Sequence, residues 1–267
     1  MRCKLTLRAL DAPTVIPINY NYPIAAAIYK IINAASPEYS EWLHSQGYVT
    51  PEGKPMKLFT FSRLLNKNMK AEGNVLKMEK HDRCALYISS PMLEDFIKNF
   101  VIGLFSIKKI EIAAHGICGR FVVDDVERID LPELSETLRC VALSPFVAST
   151  MKEHNGKLSP YYYRPLDEGL SEALRRNAVQ KFQLVHRALP KNDLLTVETD
   201  KEYIARRGGE RRTTKLISIK EADDDETKIV AIHTPVLLKG SIELIDVILQ
   251  TGIGEKNSLG FGMLAPQ

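Results

Sequence analysis

The order of strand-like and helix-like segments is the feature of this sequence that most restricts its fold. Residues 3–8 alternate polar and apolar side chains, which is typical of a half-buried strand. Residues 24–32 carry apolar residues at helical spacing after Pro23, a residue that a first helical turn tolerates. Ser36-Pro37 begins a second short helix, which Gly47 can end. The first half then continues with predicted strands over 58–62, 73–78 and 85–89, a helix over 92–105 and a strand over 107–114.

The second half follows a similar plan, after an acidic, proline-containing connection over residues 124–136. Its helices show apolar positions at a period of 3.6 residues, and its strands are rich in β-branched and apolar residues. The predicted elements are a strand over 138–143, a helix over 167–187 with Leu170, Leu174, Ala178 and Phe182 on one face, a strand over 194–198, a hairpin over 202–220 around Gly208-Gly209, a strand over 229–238 broken by Pro235, and a helix over 240–251.

Both halves therefore resemble the βαββαβ plan of the ferredoxin-like fold, which RNA-recognition modules share. The prediction is an α+β protein of two tandem ferredoxin-like (RRM-like) domains with antiparallel sheets. The first domain is expected to span residues 1–123 and the second residues 124–267.

Charge and composition restrict the class of protein further. A chain with 45% hydrophobic and 26% charged residues can bury a core, and its net charge of only +3 means that any nucleic acid must be bound by local basic patches. The four cysteines lie far apart and no leader-like segment is visible, which favours reduced thiols and a cytoplasmic location. The sequence contains no long apolar run and no paired histidines, so we expect no membrane span, metal site or cofactor.

A glycine-rich segment near the end of the chain could contact a ligand. It surrounds a polar centre with four glycines. Glycine allows a backbone to approach a phosphate closely, so the free amides of the loop could form a cradle for an anion. Its spacing matches neither the Rossmann nor the Walker fingerprint. The alternative is a glycine-rich turn into a last strand. The candidate binding residues are Gly252, Gly254, Lys256, Asn257, Ser258, Gly260 and Gly262.

A second candidate binding element is the basic cluster around Gly208-Gly209. Arginine has a planar fork of donors that suits phosphate and stacks on bases, so the cluster could be a phosphate clamp or finger. The acidic run 223–226 lies just downstream, and a solvated charged hairpin is the alternative. The residues of the cluster are Arg206, Arg207, Arg211, Arg212 and Lys215.

Tyr29, His44 and Lys57 are polar residues in or beside apolar elements of the first half. An imidazole with a pKa of about 6.5 can transfer protons to or from a ribose 2′-hydroxyl or a leaving 5′-oxygen. An ammonium can stabilise charge on a pentacoordinate phosphate, and a phenol can position or donate. These residues supply what metal-free RNA cleavage needs, although a histidine at the end of a helix is also commonly a plain surface residue.

With these blocks in order, the sequence resembles the CRISPR-associated endoribonucleases of the Cas6 type, within the repeat-associated mysterious protein superfamily. The resemblance covers nearly the whole chain. It is carried by the closing run 252–263, by Ile16-Pro17-Ile18-Asn19-Tyr20-Asn21-Tyr22-Pro23 before Tyr29, by Trp42-Leu43-His44, by Lys57-Leu58-Phe59-Thr60-Phe61-Ser62 and by Leu143-Ser144-Pro145.

The resemblance implies metal-independent cutting of precursor CRISPR RNA within its repeats, leaving a 2′,3′-cyclic phosphate and a 5′-hydroxyl. Tyr29, His44 and Lys57 match a catalytic set of one branch of the family, with Lys54 as the alternative lysine. The glycine loop would bind RNA. The implied partners are CRISPR repeat RNA, a CRISPR interference complex and a second copy of the chain. The alternatives are a non-catalytic repeat-binding protein and a subunit of a CRISPR ribonucleoprotein complex.

Overall fold

A computed structural model describes residues 1–154, 156–220 and 226–267 of the chain. Its first domain alternates strands with two pairs of helical segments. These elements are β1 (Arg2–Ala9), β2 (Thr14–Pro17), α1 (Asn21–Ala35), α2 (Pro37–Ser45), β3 (Tyr48–Val49), β4 (Pro55–Met56), β5 (Thr60–Phe61), β6 (Lys70–Glu72), β7 (Val75–Met78), β8 (Arg83–Ser89), a π-helical turn (Leu93–Ile97), α3 (Lys98–Ile107), β9 (Lys109–Ala114) and β10 (Ile117–Ile129).

The main sheet of the first domain has the ferredoxin-like strand order. Its five strands run β5-β8-β1-β10-β9 in space, and their pairings are antiparallel. Strand β1 lies at the centre and alternates as its sequence predicts, because Leu5 and Leu7 are fully buried whereas Lys4 and Thr6 are not. Helices α1 and α3 pack against each other beside this sheet. β1, β5, β8 and β10 therefore form the four-stranded ferredoxin-like sheet, and β9 extends its edge.

The second domain repeats this order with two added hairpins. Its four-stranded sheet runs β14-β17-β11-β18, α4 and α7 pack beside it, and the hairpins β12–β13 and β15–β16 stand apart from it. The elements are β11 (Thr137–Ala142), β12 (Ser149–His154), β13 (Lys157–Tyr162), α4 (Leu170–His186), β14 (Leu195–Thr199), α5 (Lys201–Arg206), α6 (Glu210–Thr213), β15 (Thr214–Ile219), β16 (Thr227–Ile232), β17 (Val236–Gly240), α7 (Ile242–Thr251), a 3-10 turn (Asn257–Leu259) and β18 (Leu264–Pro266).

The predicted pair of tandem ferredoxin-like domains with antiparallel sheets is confirmed. The predicted apolar stripe of α4 is also buried, from Leu174 at 0% exposure to Phe182 at 7%. Strand β10 was not predicted, and it corrects the expected connection between the halves. Residues 124–129 continue β10, and Arg2 pairs with Ile129 at its end. The connection therefore begins after Ile129, because the charged residues of β10 lie on an exposed strand and not in a turn.

The expected hairpin over residues 202–220 is wrong. Gly208 and Gly209 separate the short helices α5 and α6, and only the last part of the segment is a strand. Helix α5 begins at an Asp200 cap, whose side chain accepts a hydrogen bond from the Tyr203 amide at 2.8 Å. Strand β15 instead pairs with β16. Of the acidic run that was weighed against the basic cluster, Asp223, Asp224 and Asp225 lie outside the described residues.

Aromatic packing in the first domain fixes the position of the candidate site. Phe59 stacks on Phe96 with 4.5 Å between ring centroids, and Phe96 stacks on Phe100 at 6.1 Å. All three side chains are fully buried. The ring of Tyr29 meets Phe59 edge-on at 6.0 Å, so the core anchors the phenol of α1. In the described part of the chain, no helix has the length and apolar character to cross a membrane.

Candidate functional site

Tyr29 and His44 lie together because helices α1 and α2 form a tight corner. Ser36 caps α2 by accepting a hydrogen bond from the Tyr39 amide at 3.3 Å, and Ser40 Oγ donates to the carbonyl of Tyr29 at 3.2 Å. The corner places the Tyr29 and His44 rings at a centroid distance of 5.3 Å, nearly perpendicular to each other at 84°. His44 lies in the last turn of α2 and is exposed, so its imidazole is accessible from solvent.

Lys57 completes the cluster from the segment before β5. Its Nζ donates to the backbone carbonyl of His44 at 2.9 Å. Gly47 ends α2 at a φ of +65° and leaves room for this side chain, because a Cβ there would lie 2.8 Å from Lys57 Cδ. The predicted trio Tyr29, His44 and Lys57 therefore converges, although its members are separated in sequence. We call these three residues the convergent trio.

Burial shifts the pKa values of Lys57 and Tyr29 in opposite directions. Burial lowers the pKa of Lys57 below its ordinary value of 10.5, which makes its ammonium a stronger donor. Burial raises the pKa of Tyr29, so its phenol stays protonated at neutral pH and can donate a hydrogen bond. The trio therefore offers two donors beside one exposed imidazole.

Lys54, the alternative lysine, has a different partner. Its Nζ forms an ion pair with Glu255 Oε1 of the second domain at 3.2 Å. Glu255 also accepts a hydrogen bond from Ser149 Oγ at 2.7 Å. Of the two lysines, Lys57 is therefore the one whose Nζ contacts His44.

A cleft of about 300 Å³ between the domains joins Lys57 to the glycine-rich segment. Lys57 and Lys54 line it from the first domain, and Lys256 and Ser258 line it from the second. Lys256 is exposed and has a left-handed φ of 58°, just before the 3-10 turn. The cleft therefore gathers cationic side chains from both domains next to the convergent trio.

The glycine loop (residues 252–263) mainly forms hydrogen bonds within the protein, and some of these join the second domain to the first. Asn21 donates to the carbonyl of Leu259 at 2.8 Å, and Thr60 Oγ1 donates to that of Phe261 at 2.9 Å. The expected cradle of free glycine amides is corrected, because three of these amides already have carbonyl partners. Gly252 N donates to Ile248 O at 2.8 Å, Gly260 N to Asn257 O at 2.9 Å and Gly262 N to Pro145 O at 2.7 Å.

Lys181 is a functional candidate that the sequence reasoning missed. Only 3% of it is exposed, and its Nζ donates to Gly252 O, Gly254 O and Asn257 Oδ1, each at 2.6 Å. The signal was present, since Lys181 lies three residues after Ala178 on the apolar face of α4. A lysine on such a face must be matched by acceptors, here those of the glycine loop.

The basic cluster lies apart from the convergent trio. Arg206, Arg207, Arg211 and Arg212 are exposed on α5, on α6 and in the turn between them. Within residues 1–154, 156–220 and 226–267, none of these guanidinium groups forms an ion pair. The Arg207 guanidinium lies 5.5 Å from the ring centroid of Tyr203.

Lys215, the fifth member of the basic cluster, lies on β15 and lines a larger cleft of about 910 Å³. Arg63, Lys67 and His233 share the wall of that cleft. His233 Nε2 lies 3.2 Å from Ala142 O, and burial lowers the pKa of His233 to about 4, so its ring is neutral near pH 7. The molecule therefore has a second basic cleft that does not contain the convergent trio. No group of three metal-ligating side chains occurs among the described residues.

Two RRM-like domains in tandem, with a glycine-rich loop at their junction, are the arrangement that the sequence resemblance to CRISPR-associated endoribonucleases implies. Family models match both halves of the chain: "CRISPR-associated protein Cas6, N-terminal" over residues 15–127 and "CRISPR associated protein Cas6, C-terminal" over residues 129–266. The chain therefore belongs to the Cas6 family.

Individual relatives match along the whole chain. A Methanocaldococcus jannaschii protein named CRISPR-associated endoribonuclease Cas6 1 is 30% identical, over 99% of this chain and 92% of its own length. A solved structure of a Cas6-related gene product from Pyrococcus furiosus is 27% identical, with a TM-score of 0.80, and covers 100% of this chain and 98% of its own. Another, titled "An RAMP protein binding different RNA substrates", is 25% identical with a TM-score of 0.79, over 100% and 99% of the two chains.

Proposed function

We propose that this protein is an endoribonuclease that cuts precursor CRISPR RNA within its repeats without a metal ion. The observation that carries the proposal is the convergent trio at the edge of the 300 Å³ cleft, with Lys57 Nζ 2.9 Å from the backbone of His44. The M. jannaschii relative, which is named as an endoribonuclease, supports the same activity.

In the proposed reaction the ribose 2′-oxygen attacks the adjacent phosphorus. The 2′-hydroxyl loses its proton, the bond from phosphorus to the 5′-oxygen breaks, and the 5′-oxygen gains a proton. The products are a 2′,3′-cyclic phosphate and a 5′-hydroxyl. His44 is assigned one of the two proton transfers, since its imidazole is the exposed titratable group of the trio.

Lys57 is proposed to stabilise the negative charge that grows on the phosphorane. The residue is half-buried, and a charge interaction in a partly desolvated site is stronger than one in bulk water. Tyr29 is proposed to orient the reacting groups as a neutral donor, which its raised pKa supports. Lys256 and Ser258 would hold the RNA backbone across the cleft, and the exposed arginines 206, 207, 211 and 212 would bind it farther away.

A labelled repeat RNA tests this function. Cleavage should continue in excess EDTA, and a single 2′-deoxy substitution at the scissile nucleotide should abolish it, because the nucleophile is then missing. The upstream product should carry a cyclic phosphate, visible as a mass 18 Da lower than that of the linear phosphate. Loss of cleavage in EDTA, or cleavage of the 2′-deoxy RNA, would refute the mechanism.

A non-catalytic RNA-binding protein is the second candidate. Lys57 contacts the backbone carbonyl of His44 and not its ring, and one structural relative is titled as a protein that binds different RNA substrates. Tight binding of repeat RNA with no product in any buffer would support this second function.

The partners we propose are repeat RNA and, after cleavage, a CRISPR interference complex in the cytoplasm. A homodimer is a further proposal, which sedimentation of the purified protein would test.

A further inference from the structure

Lys181 is unusual because every hydrogen-bond donor of a buried ammonium is used on one loop. Its three partners, Gly252 O, Gly254 O and Asn257 Oδ1, lie at 2.6 Å each. A protonated amine has three N–H donors, whereas a neutral amine has two and a lone pair, which would face one of these oxygens unfavourably. The geometry therefore requires the ammonium form.

The three acceptors of Lys181 belong to residues 252–257, the part of the loop that carries Lys256. Asn257 also fixes the loop from its other side, since its Nδ2 donates to Ile253 O at 3.1 Å and to Phe261 O at 2.9 Å. Lys256 lies between two of the acceptor residues and has a left-handed backbone. Its orientation into the cleft is therefore set by bonds that converge on Lys181.

We infer that Lys181 is a positioning residue, whose ammonium holds Lys256 in the orientation in which it binds the RNA backbone. This inference rests on the proposed RNA-binding role of the cleft. Lys181 does not contact the reacting phosphate in this assignment. It acts through the glycine loop, and it affects RNA affinity more than the chemical step.

The charged surroundings make the arrangement sensitive to pH. Burial lowers the pKa of Lys181 to about 7; Glu255 opposes this shift and Lys54 adds to it. Lys57 and Lys256 line the same cleft as further positive groups. Raising the pH above about 7 removes the third donor of Lys181, so affinity for RNA should fall on the alkaline side.

A double-mutant cycle in RNA binding tests the inference. The probe is a repeat RNA with a 2′-deoxy scissile nucleotide, which separates binding from cleavage. Lys256→Ala should raise Kd about tenfold, the loss expected for one charge-assisted contact. Lys181→Met should raise Kd by a similar factor, and the double variant should be no weaker than Lys256→Ala alone, because both changes remove the same contact.

The salt dependence gives a second signature. Each lost phosphate contact lowers the slope of log Kd against log salt by about 0.7 for a single strand. Lys181→Met should lower the slope by the same amount, about 0.7, although Lys181 itself is buried and contacts no phosphate. The inference would be overturned if the effects of the two substitutions on Kd multiply in the double variant. It would also be overturned if a folded Lys181→Met protein has an unchanged Kd and an unchanged salt slope.

A measurement on protein that keeps Lys181 covers the case in which Lys181→Met does not fold. With His44→Ala as the background, which removes the exposed imidazole, Kd should rise between pH 6.5 and 8.5, and Lys256→Ala should remove this rise. A rise in Kd that is equally large in the Lys256→Ala protein would overturn the inference, because Lys181 would then affect RNA affinity by a route other than Lys256. If wild-type protein binds the repeat RNA but never cleaves it, the proposed endonuclease function fails while this inference is still tested.

Discussion

Gly262→Ala should destabilise the protein strongly, because Gly262 meets two independent restrictions. Its φ is +80°, and a Cβ at this position would lie 2.0 Å from the carbonyl oxygen of Ile253. The left-handed backbone alone costs a non-glycine residue about 1–2 kcal/mol. Forcing a methyl group against a fixed backbone atom adds about 1–3 kcal/mol. The expected loss in the free energy of unfolding is therefore about 2–5 kcal/mol.

Gly53→Ala is the matched control. Gly53 has the same φ of +80°, but a Cβ there meets nothing within 4 Å. The Gly53→Ala variant should lose only the free energy that a left-handed backbone costs a non-glycine residue, about 1–2 kcal/mol. Urea unfolding followed by circular dichroism measures both variants, and the difference between them reports the steric term alone. If the two variants lose the same free energy within about 0.5 kcal/mol, Gly262 does not approach the Ile253 carbonyl within the glycine loop as described.

Three further predictions concern Lys57 and the cysteines. Lys57→Met should lower single-turnover cleavage by about 10²–10³-fold, whereas Lys54→Met, which removes an exposed ion pair, should leave the rate within about threefold; equal losses would contradict the assignment of Lys57. The wild-type cleavage rate should also fall at alkaline pH, and the fall should begin below pH 10.5. Burial lowers the pKa of Lys57 from its ordinary value of 10.5, and the ammonium loses its charge as the pH rises through this lowered pKa. Iodoacetamide at pH 8 should label the native protein at the exposed Cys118 and not at the buried thiols, which peptide mass mapping can show. Burial raises the pKa of Cys84 and of Cys140 to about 12, so both should stay unreactive thiols. Rapid labelling of either would contradict its placement in the core.

The sequence predicted the longer helices well because their apolar periodicity reports burial directly. The stripe from Leu170 to Phe182 and the Ser36 cap both appear as expected. Strand β10 was missed because its second part is charged, and its place in the sheet depends on pairing with β1, far away in sequence. The Gly208-Gly209 pair was misread because glycine also separates helices, and the Asp200 cap was the local signal for α5.

The candidate site was predictable only in part. The residue types of Tyr29, His44 and Lys57 suggested a chemistry, but their convergence depends on how α1, α2 and the segment before β5 pack, which no local pattern contains. The glycine loop shows the opposite difficulty. Its composition suggested an anion cradle, yet its amides bond internally, and the residue that organises it, Lys181, lies more than 70 positions earlier in the chain.

The most direct test of the endoribonuclease proposal is the single-turnover cleavage rate of His44→Ala, measured beside its affinity for repeat RNA. The exposed neighbour Ser45→Ala is the control. The rate of His44→Ala should fall by about 10²–10⁴-fold, the contribution of general acid–base catalysis, while its Kd stays within about threefold of wild type. A His44→Ala protein that cleaves repeat RNA at the wild-type rate would contradict the account.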